Sequence, residues 1–252
     1  LLDLFCGAGG AAMGYHRAGF DVVGVDIEPQ PYYPFDFHQG DAMTWPLDGF
    51  DAVHASPPCQ RYSTMGNRKR LPAPDLLEST IARLRPLAVP WVVENVTGAS
   101  GLMPNAVVLA GAMFGLDVHR PRLFASNLLI LTPPPMAPPA GAIGVYGRRH
   151  DGRRLRTRLG DGIAYRAAGS LEEAHRAMGM DWADWHGTKE AIPPAYTEYV
   201  GRYLIEAITA VQTHHARTLV SRGQGDPATA GRSQEQARPR HQGVLHPGMP
   251  AG

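Results

Sequence analysis

Cys59 lies in the string Ser56-Pro57-Pro58-Cys59-Gln60-Arg61-Tyr62-Ser63, directly after Phe50-Asp51-Ala52-Val53-His54-Ala55, which reads as a buried strand. A thiol at the carboxyl end of a sheet strand is placed for nucleophilic chemistry, and two prolines stiffen the turn that presents it. A free cysteine by itself is more often a small buried residue, so the other strand ends decide the matter. Gly7, Gly9 and Gly10 form a turn after a first apolar run, Asp26 closes a second run, and Asp41 follows. Glycines let the backbone pass close to a ligand and adopt positive φ. Asp26 has the chemistry to accept both hydroxyls of a ribose, and Asp41 to accept from an adenine amino group. The turn lacks the third glycine of a dinucleotide fingerprint and the lysine of a P-loop. Strand, glycine turn and two acids in this order fit an adenosine ligand without a diphosphate.

The elements that must position these groups can be read along the chain. Residues 1–5 predict a strand, 11–18 a helix closed by Gly19, 21–27 a strand, and 32–38 a short aromatic segment. Residues 50–56 predict the next strand. A polar, basic, proline-bounded stretch, 61–74, predicts a mobile loop. Leu76, Leu77, Ile81, Leu84 and Leu87 have helical spacing over 76–87, and 90–96 is a further strand ending in Glu94-Asn95-Val96. Alternating strands and helices argue for an α/β fold, a parallel, doubly wound Rossmann-like sheet, whose ligands bind at the carboxyl ends of its strands. The glycine turn, Asp26, Asp41, Cys59 and Glu94 all fall at such ends. Residues 107–114 fit either a helix or a buried strand. Arg120 and Arg122, two apart on a strand, would share one face.

Later segments are less regular. Residues 132–139 are proline-rich and read as a linker, and 148–158 hold six arginines among eleven residues. Ser170 starts a helix with Glu172 and Glu173 in its first turn. Pro193-Pro194 precede an amphipathic helix over 195–211. From residue 213 the composition predicts a disordered tail. The expected organisation is a catalytic core (1–131), a short target-recognition segment (132–169), carboxyl-terminal helices completing the core (170–212) and the tail (213–252).

The chain has 252 residues and a net charge of +1, so no whole-molecule field points to nucleic acid. Two cysteines cannot build a disulfide framework, and a reduced intracellular setting is expected. No apolar run approaches the roughly 20 residues that span a bilayer, and no secretory signal is visible. The chain opens on Leu1 inside an apparent strand without an initiator Met, so trimming at its start is expected. Arginine outnumbers lysine 22 to 2, which fits a GC-rich genome. The histidines lack metal-ligand spacing.

Asp3-Leu4-Phe5-Cys6-Gly7-Ala8-Gly9-Gly10, Pro57-Pro58-Cys59-Gln60-Arg61-Tyr62-Ser63, Glu94-Asn95-Val96 and Arg120-Pro121-Arg122, in that order, resemble the cytosine-C5 DNA methyltransferases of the stand-alone bacterial or phage type. The resemblance covers roughly residues 1–208. It implies S-adenosylmethionine as cofactor, held by Phe5, Gly7, Gly9, Asp26, Ile27, Asp41 and Pro58. It implies that Cys59 adds to C6 of cytosine while Glu94 acts on N3, Arg122 donates to O2, and Arg120 braces the acid or the loop. A thiol pKa depressed by Arg61, Arg120 or Arg122 would assist the attack. No metal is needed. The base must be flipped out of duplex DNA, beneath a loop carrying Arg61, Ser63, Arg68, Lys69 and Arg70. Arg148, Arg149, Arg153 and Arg154 fall where the family reads its target, with Gly144, Gly147 and Gly152 as turns of a small hairpin.

Two departures stand out. Val118 replaces a glutamine of the arginine motif, and Lys189-Glu190 replace the Gly-Asn of a late Gly-Asn-Ala-Val-Pro-Pro run. Glu190 would then meet the cofactor's ammonium group, or, in a sharper version, alter the choice of cofactor. The expected setting is a monomer acting on double-stranded DNA, away from membranes, in the cytoplasm of a bacterial or phage-infected cell. An RNA (tRNA) methyltransferase and a non-catalytic nucleic-acid-binding relative are the alternatives.

Overall fold

The short apolar runs, each closed by glycine, proline or an acid, become the strands of one seven-stranded sheet. In the computed structural model, which describes residues 1–62, 75–137, 141–147, 156–158 and 164–223, these are β1 (Leu2–Leu4), β2 (Val23–Asp26), β3 (Asp36–Gln39), β4 (Val53–Ala55), β5 (Trp91–Val96), β6 (Val107–Leu109) and β7 (Arg122–Ser126). Their order is β3-β2-β1-β4-β5-β7-β6. The first five strands run parallel, as expected, but β7 is antiparallel to both β5 and β6. The sheet is therefore mixed α/β rather than wholly parallel. The strand order reverses between β1 and β4, and the crevice at such a switch point is where open α/β sheets bind ligands.

Helices cover both faces, which is why β1 and β4 are buried without alternation. On one face, α1 (Gly10–Ala18) and a late helix build a core around Tyr15, Phe124, Tyr196 and Leu204. On the other, α2 (Leu77–Leu84) packs Leu77 and Leu84 against Leu2, Leu4, Val53 and Val93. Residues 107–114 contain both alternatives in succession, β6 and then a 3-10 turn at Gly111–Phe114.

After the sheet come α3 (Leu171–Met178), α4 (Trp185–Glu190) and α5 (Pro194–Gly223). Ser170 caps α3 as its composition predicts, its hydroxyl accepting from Glu173 N at 3.0 Å. A small sheet of β8 (Ile143–Gly144), β9 (Arg156–Arg158) and β10 (Ala164–Ala167) has the order β8-β10-β9. Here β9 and β10 pair antiparallel, whereas Gly144 lies within a strand rather than at a hairpin turn. The chain divides into two units, Leu1–Val211 and Gln212–Gly252. The last helix runs on to Gly223, past residue 213 where the tail was expected to begin. Among the described residues, no helix is long and apolar enough to cross a membrane.

Candidate active site

The candidate reacting groups sit at the carboxyl edge of the sheet, held by specific bonds. β4 ends at Ala55, and Ser56 N donates to Leu4 O at 3.1 Å, carrying the chain past the strand end. Asn95, nearly inaccessible on β5, donates from Nδ2 to Pro57 O at 3.0 Å and accepts from Val96 N at 2.9 Å. That bond fixes the proline turn, so the half-buried Cys59 two residues later is held by β5 as well as by β4. Tyr62 N then donates to Cys59 O at 3.0 Å.

Glu94, 6% exposed, pairs with Arg122, whose Nε lies 3.0 Å from Oε1. Arg122 also donates from Nη1 to Pro121 O at 2.9 Å. Burial pushes the Glu94 carboxyl above the usual carboxylate range, while Arg122, Arg120 and the Ser56 hydroxyl pull it part of the way back. Cys59 overturns the expected depressed thiol. Burial and the Glu94 charge push it up, and Glu190 adds to this, outweighing Arg122 and Arg120. The two residues are thereby coupled. Of the charges acting on Cys59, that of Glu94 has the largest effect, so protonating Glu94 makes the thiol easier to ionise. A thiolate and a protonated acid are the forms a nucleophile and its acid partner need.

The arginines divide their tasks differently from the expectation. Arg120 precedes β7 rather than lying on it, so strand alternation does not govern the pair. It is 2% exposed and does not brace Glu94 by a hydrogen bond. Its guanidinium donates to Val145 O at 3.0 Å and Lys189 O at 2.6 Å, and lies 5.4 Å from the Tyr146 ring centroid. Tyr196 Oη donates to Arg120 O at 2.8 Å. Arg120 thus ties the β8 segment and the end of α4 to the active edge, and it reaches Cys59 and Glu94 only through its charge. Val118, where a glutamine was expected, is buried with Ile143 and Val145 and bridges Ile143. Apolar packing replaces a polar network there. Arg61 does not charge-stabilise the thiol; its Nε lies 3.4 Å from Asp75 Oδ2. Tyr62 also donates to Asp75. Ser63, Arg68, Lys69, Arg70, Arg148, Arg149, Gly152, Arg153 and Arg154 lie outside the described residues.

The glycine turn forms the other half of the edge. Phe5, Gly7 and Gly9 all have positive φ, at 57°, 49° and 81°. A Cβ on Gly9 would stand 2.7 Å from Pro34 Cδ, whereas one on Gly7 would meet nothing within 4 Å. The turn is therefore packed beneath and open above. Asp26 shapes it, accepting from Gly7 N at 2.9 Å and Glu28 N at 3.0 Å, and each oxygen keeps a lone pair for a ribose hydroxyl. Ile27 beside it is 65% exposed, an apolar surface at an open ligand edge. Asp41 is exposed and accepts from Met43 N at 2.8 Å. Open space, a bare apolar side chain and two carboxylates fit an adenosyl group. Glu190 pairs with Lys189 at 3.4 Å at the end of α4.

Sequence reasoning missed the residues that clamp this turn from the far end of the chain. Trp182 Nε1 donates to Ala8 O at 2.8 Å, and Thr197 Oγ1 donates to Ala11 O at 2.8 Å. A Cβ on Gly187 would meet Ala8 Cβ at 2.7 Å, and one on Gly10 would meet Ile192 O at 2.4 Å. Small residues on both partners were the available signal. Asn95 was also missed as a positioning group, although it stood inside a quoted motif.

Residues 1–101 match the family described as C-5 cytosine-specific DNA methylase. The Type II methyltransferase M.AgeI of Thalassovita gelatinovora is 27% identical over 164 residues, which is 49% of this chain and 38% of that relative. The match thus spans well under half of the relative's length. Among solved structures, a putative DNA modification methyltransferase encoded within a prophage of E. coli aligns at TM-score 0.52 and 17% identity, covering 81% of this chain and 98% of that one. The Entamoeba histolytica methyltransferase EhMeth aligns at TM-score 0.53 and 13% identity, covering 82% and 98%. At those identities the likeness is one of fold. The sequence match to the C-5 cytosine-specific DNA methylase family is thus confined to residues 1–101, and the solved structures share the fold of the mixed sheet.

Proposed function

We propose that this protein is a DNA cytosine-C5 methyltransferase that works through a covalent Cys59 adduct on a flipped cytosine. The observation that carries the reading is the trio at one sheet edge: a half-buried thiol acted on by the charges of a buried acid and of Arg122, which is paired with that acid. Cytosine C5 is a poor nucleophile until C6 carries a sulfur. The Cys59 sulfur forms a bond to C6, electron density moves into the ring, and Glu94 delivers its proton to N3 as that charge builds. Arg122 is the donor for O2, since a guanidinium keeps its protons there. C5 then takes the methyl group, its proton leaves to solvent base, and the S–C6 bond breaks to release Cys59 while N3 returns its proton to Glu94. S-adenosylmethionine, held by the Gly7–Gly9 turn, Phe5, Asp26, Ile27, Asp41 and Pro58 with Glu190 near its methionine end, would supply the electrophilic methyl group, its sulfonium S–CH3 bond breaking so that S-adenosylhomocysteine leaves.

Duplex DNA as substrate, a stand-alone modification role and a cytoplasmic site of action belong to the same reading. Its support is the family match together with the arginine-rich segment 148–158. The test is incubation with S-adenosylmethionine and 5-fluorocytosine-containing DNA or RNA, followed by denaturing electrophoresis. A stable adduct on DNA, absent in Cys59→Ser, is expected. An adduct confined to RNA would reassign the substrate, and no adduct or methyl transfer on either would refute the enzyme.

A further inference from the structure

Lys189 and Glu190 close α4 with opposite charges, 3.4 Å apart from Nζ to Oε1. Successive residues of a helix do not face each other, so both side chains turn toward one side to meet. The last turn of a helix favours a cation and disfavours an anion. Lys189 suits its place on that ground, and Glu190 does not. The Lys189 side chain is 24% exposed and that of Glu190 55%, so the ammonium is sheltered and the carboxylate reaches outward. Their separation exceeds the about 2.7–2.9 Å of a charge-assisted hydrogen bond. The pair therefore does not saturate the three donors of the ammonium or the lone pairs of the carboxylate.

The backbone sets this pair against the glycine turn. A Cβ on Gly187 would meet Ala8 Cβ at 2.7 Å, and one on Gly10 would meet Ala191 Cβ at 2.9 Å. Residues 187 and 191 thus pack on residues 8–10 from either side of the pair. Ala191 N donates to Gly187 O at 3.0 Å, closing that span into one turn. Arg120 Nη2 donates to Lys189 O at 2.6 Å, which ties the same span to the segment leading into β7.

We propose that Lys189 and Glu190 together read the amino-acid end of the methyl donor, Glu190 accepting from its α-ammonium group and Lys189 donating to its α-carboxylate. The inference rests on the reading of the Gly7–Gly9 turn as the cofactor turn. The amino-acid end of S-adenosylmethionine is a zwitterion, with both charges borne by substituents of one carbon. A loose pair of opposite charges is its complement, because each member exchanges one opposite charge for another. A phosphate or a polyamine would meet a like charge in such a pair, whereas a zwitterion meets none. Either charge alone would recognise half of this group and leave the other half desolvated without a partner. The pair therefore confers selectivity at a group remote from the reacting sulfonium. A nucleoside thioether that lacks the carboxylate or the amine is disfavoured even where its adenosine fits.

Calorimetric titration of the full chain tests this with three ligands: S-adenosylhomocysteine, its analogue lacking only the α-carboxylate, and its analogue lacking only the α-amine. The wild type should bind each truncated analogue about tenfold more weakly than S-adenosylhomocysteine, the change expected for losing a hydrogen bond to a charged group. Lys189→Met should weaken S-adenosylhomocysteine by about tenfold and leave the carboxylate-free analogue unchanged, so that the preference disappears. Glu190→Leu should abolish the preference over the amine-free analogue in the same way. Lys189→Arg should retain the preference, since a guanidinium also donates to a carboxylate. A merely structural role would weaken all three ligands alike and preserve their ratios. Equal affinity of the wild type for S-adenosylhomocysteine and the carboxylate-free analogue, or a preference that survives Lys189→Met, overturns the inference. Wild-type protein that binds none of the three ligands would instead refute the cofactor reading of the glycine turn, and the inference would fall with it.

Discussion

Gly14→Ala sets helix propensity against packing. In the middle of α1, alanine is the better helix former by about 1 kcal/mol, so an account based on local sequence predicts a stabilised protein. The structure predicts the opposite sign. A Cβ at residue 14 would lie 2.1 Å from both Pro194 O and Thr197 Oγ1, and 2.6 Å from Glu198 N. Two of these are backbone atoms in the first turn of α5, which must retreat by about 1 Å to reach ordinary contact. Overpacking of this kind costs about 1–3 kcal/mol. The retreat also breaks the Thr197–Ala11 bond, worth about 1 kcal/mol. Against the propensity gain, a net loss of about 1–3 kcal/mol remains. Urea unfolding of both proteins, followed by far-UV circular dichroism, measures it as a lower midpoint with an unchanged slope. Gly10 meets Ile192 on the same interface, so cofactor binding, read by calorimetry, should weaken as well. A Gly14→Ala protein as stable as the wild type, or more so, would refute the packing argument.

Asn95→Asp exchanges the donor facing Pro57 O for an oxygen. It should cost about 2 kcal/mol of stability and about 100-fold in kcat through misplacement of Cys59, with cofactor affinity retained; single-turnover methyl transfer and calorimetry separate these. Ser170→Ala should lower stability by about 1 kcal/mol through loss of the α3 cap, measured by thermal unfolding. Arg166 holds the Glu173 carboxyl down to about 2. Its contribution is therefore present above the ordinary glutamate range and lost as pH falls toward 2. The stability difference between wild type and Glu173→Gln should shrink over that window in melting curves taken from pH 5 to pH 2.

The strand ends were legible because each is punctuated. Gly7 and Gly9 follow β1, Asp26 closes β2, Pro57-Pro58 follow β4 and Glu94 sits near the end of β5. Such residues advertise a chain leaving a sheet, and parallel strands bring their ends to one edge. Helix α3 was legible from Ser170 and its two acids. What escaped was whatever depends on distant partners. Arg120 bonds to carbonyls 25 and 69 residues away, so no spacing rule could distinguish it from Arg122. The antiparallel β7 carries the same apolar pattern as a parallel strand, because both are buried on two faces. Gly144 looks like a turn residue until its pairing with Ala167 is known. The thiol's direction of shift escaped for a related reason: sequence supplies the nearby cations but not the burial that outweighs them.

The clamp between the two ends of the chain has a consequence in time. Thr197 binds the carbonyl of Ala11 across 186 residues of sequence, and Trp182, Gly187 and Ile192 close on the same turn. A ribosome adding roughly 5–20 residues per second needs on the order of 10–40 seconds to make that stretch. Throughout that interval the glycine turn exists without its lid. On the proposed reaction, a nascent chain bearing Cys59 and Glu94 therefore has no finished cofactor cradle until Thr197 has been synthesised.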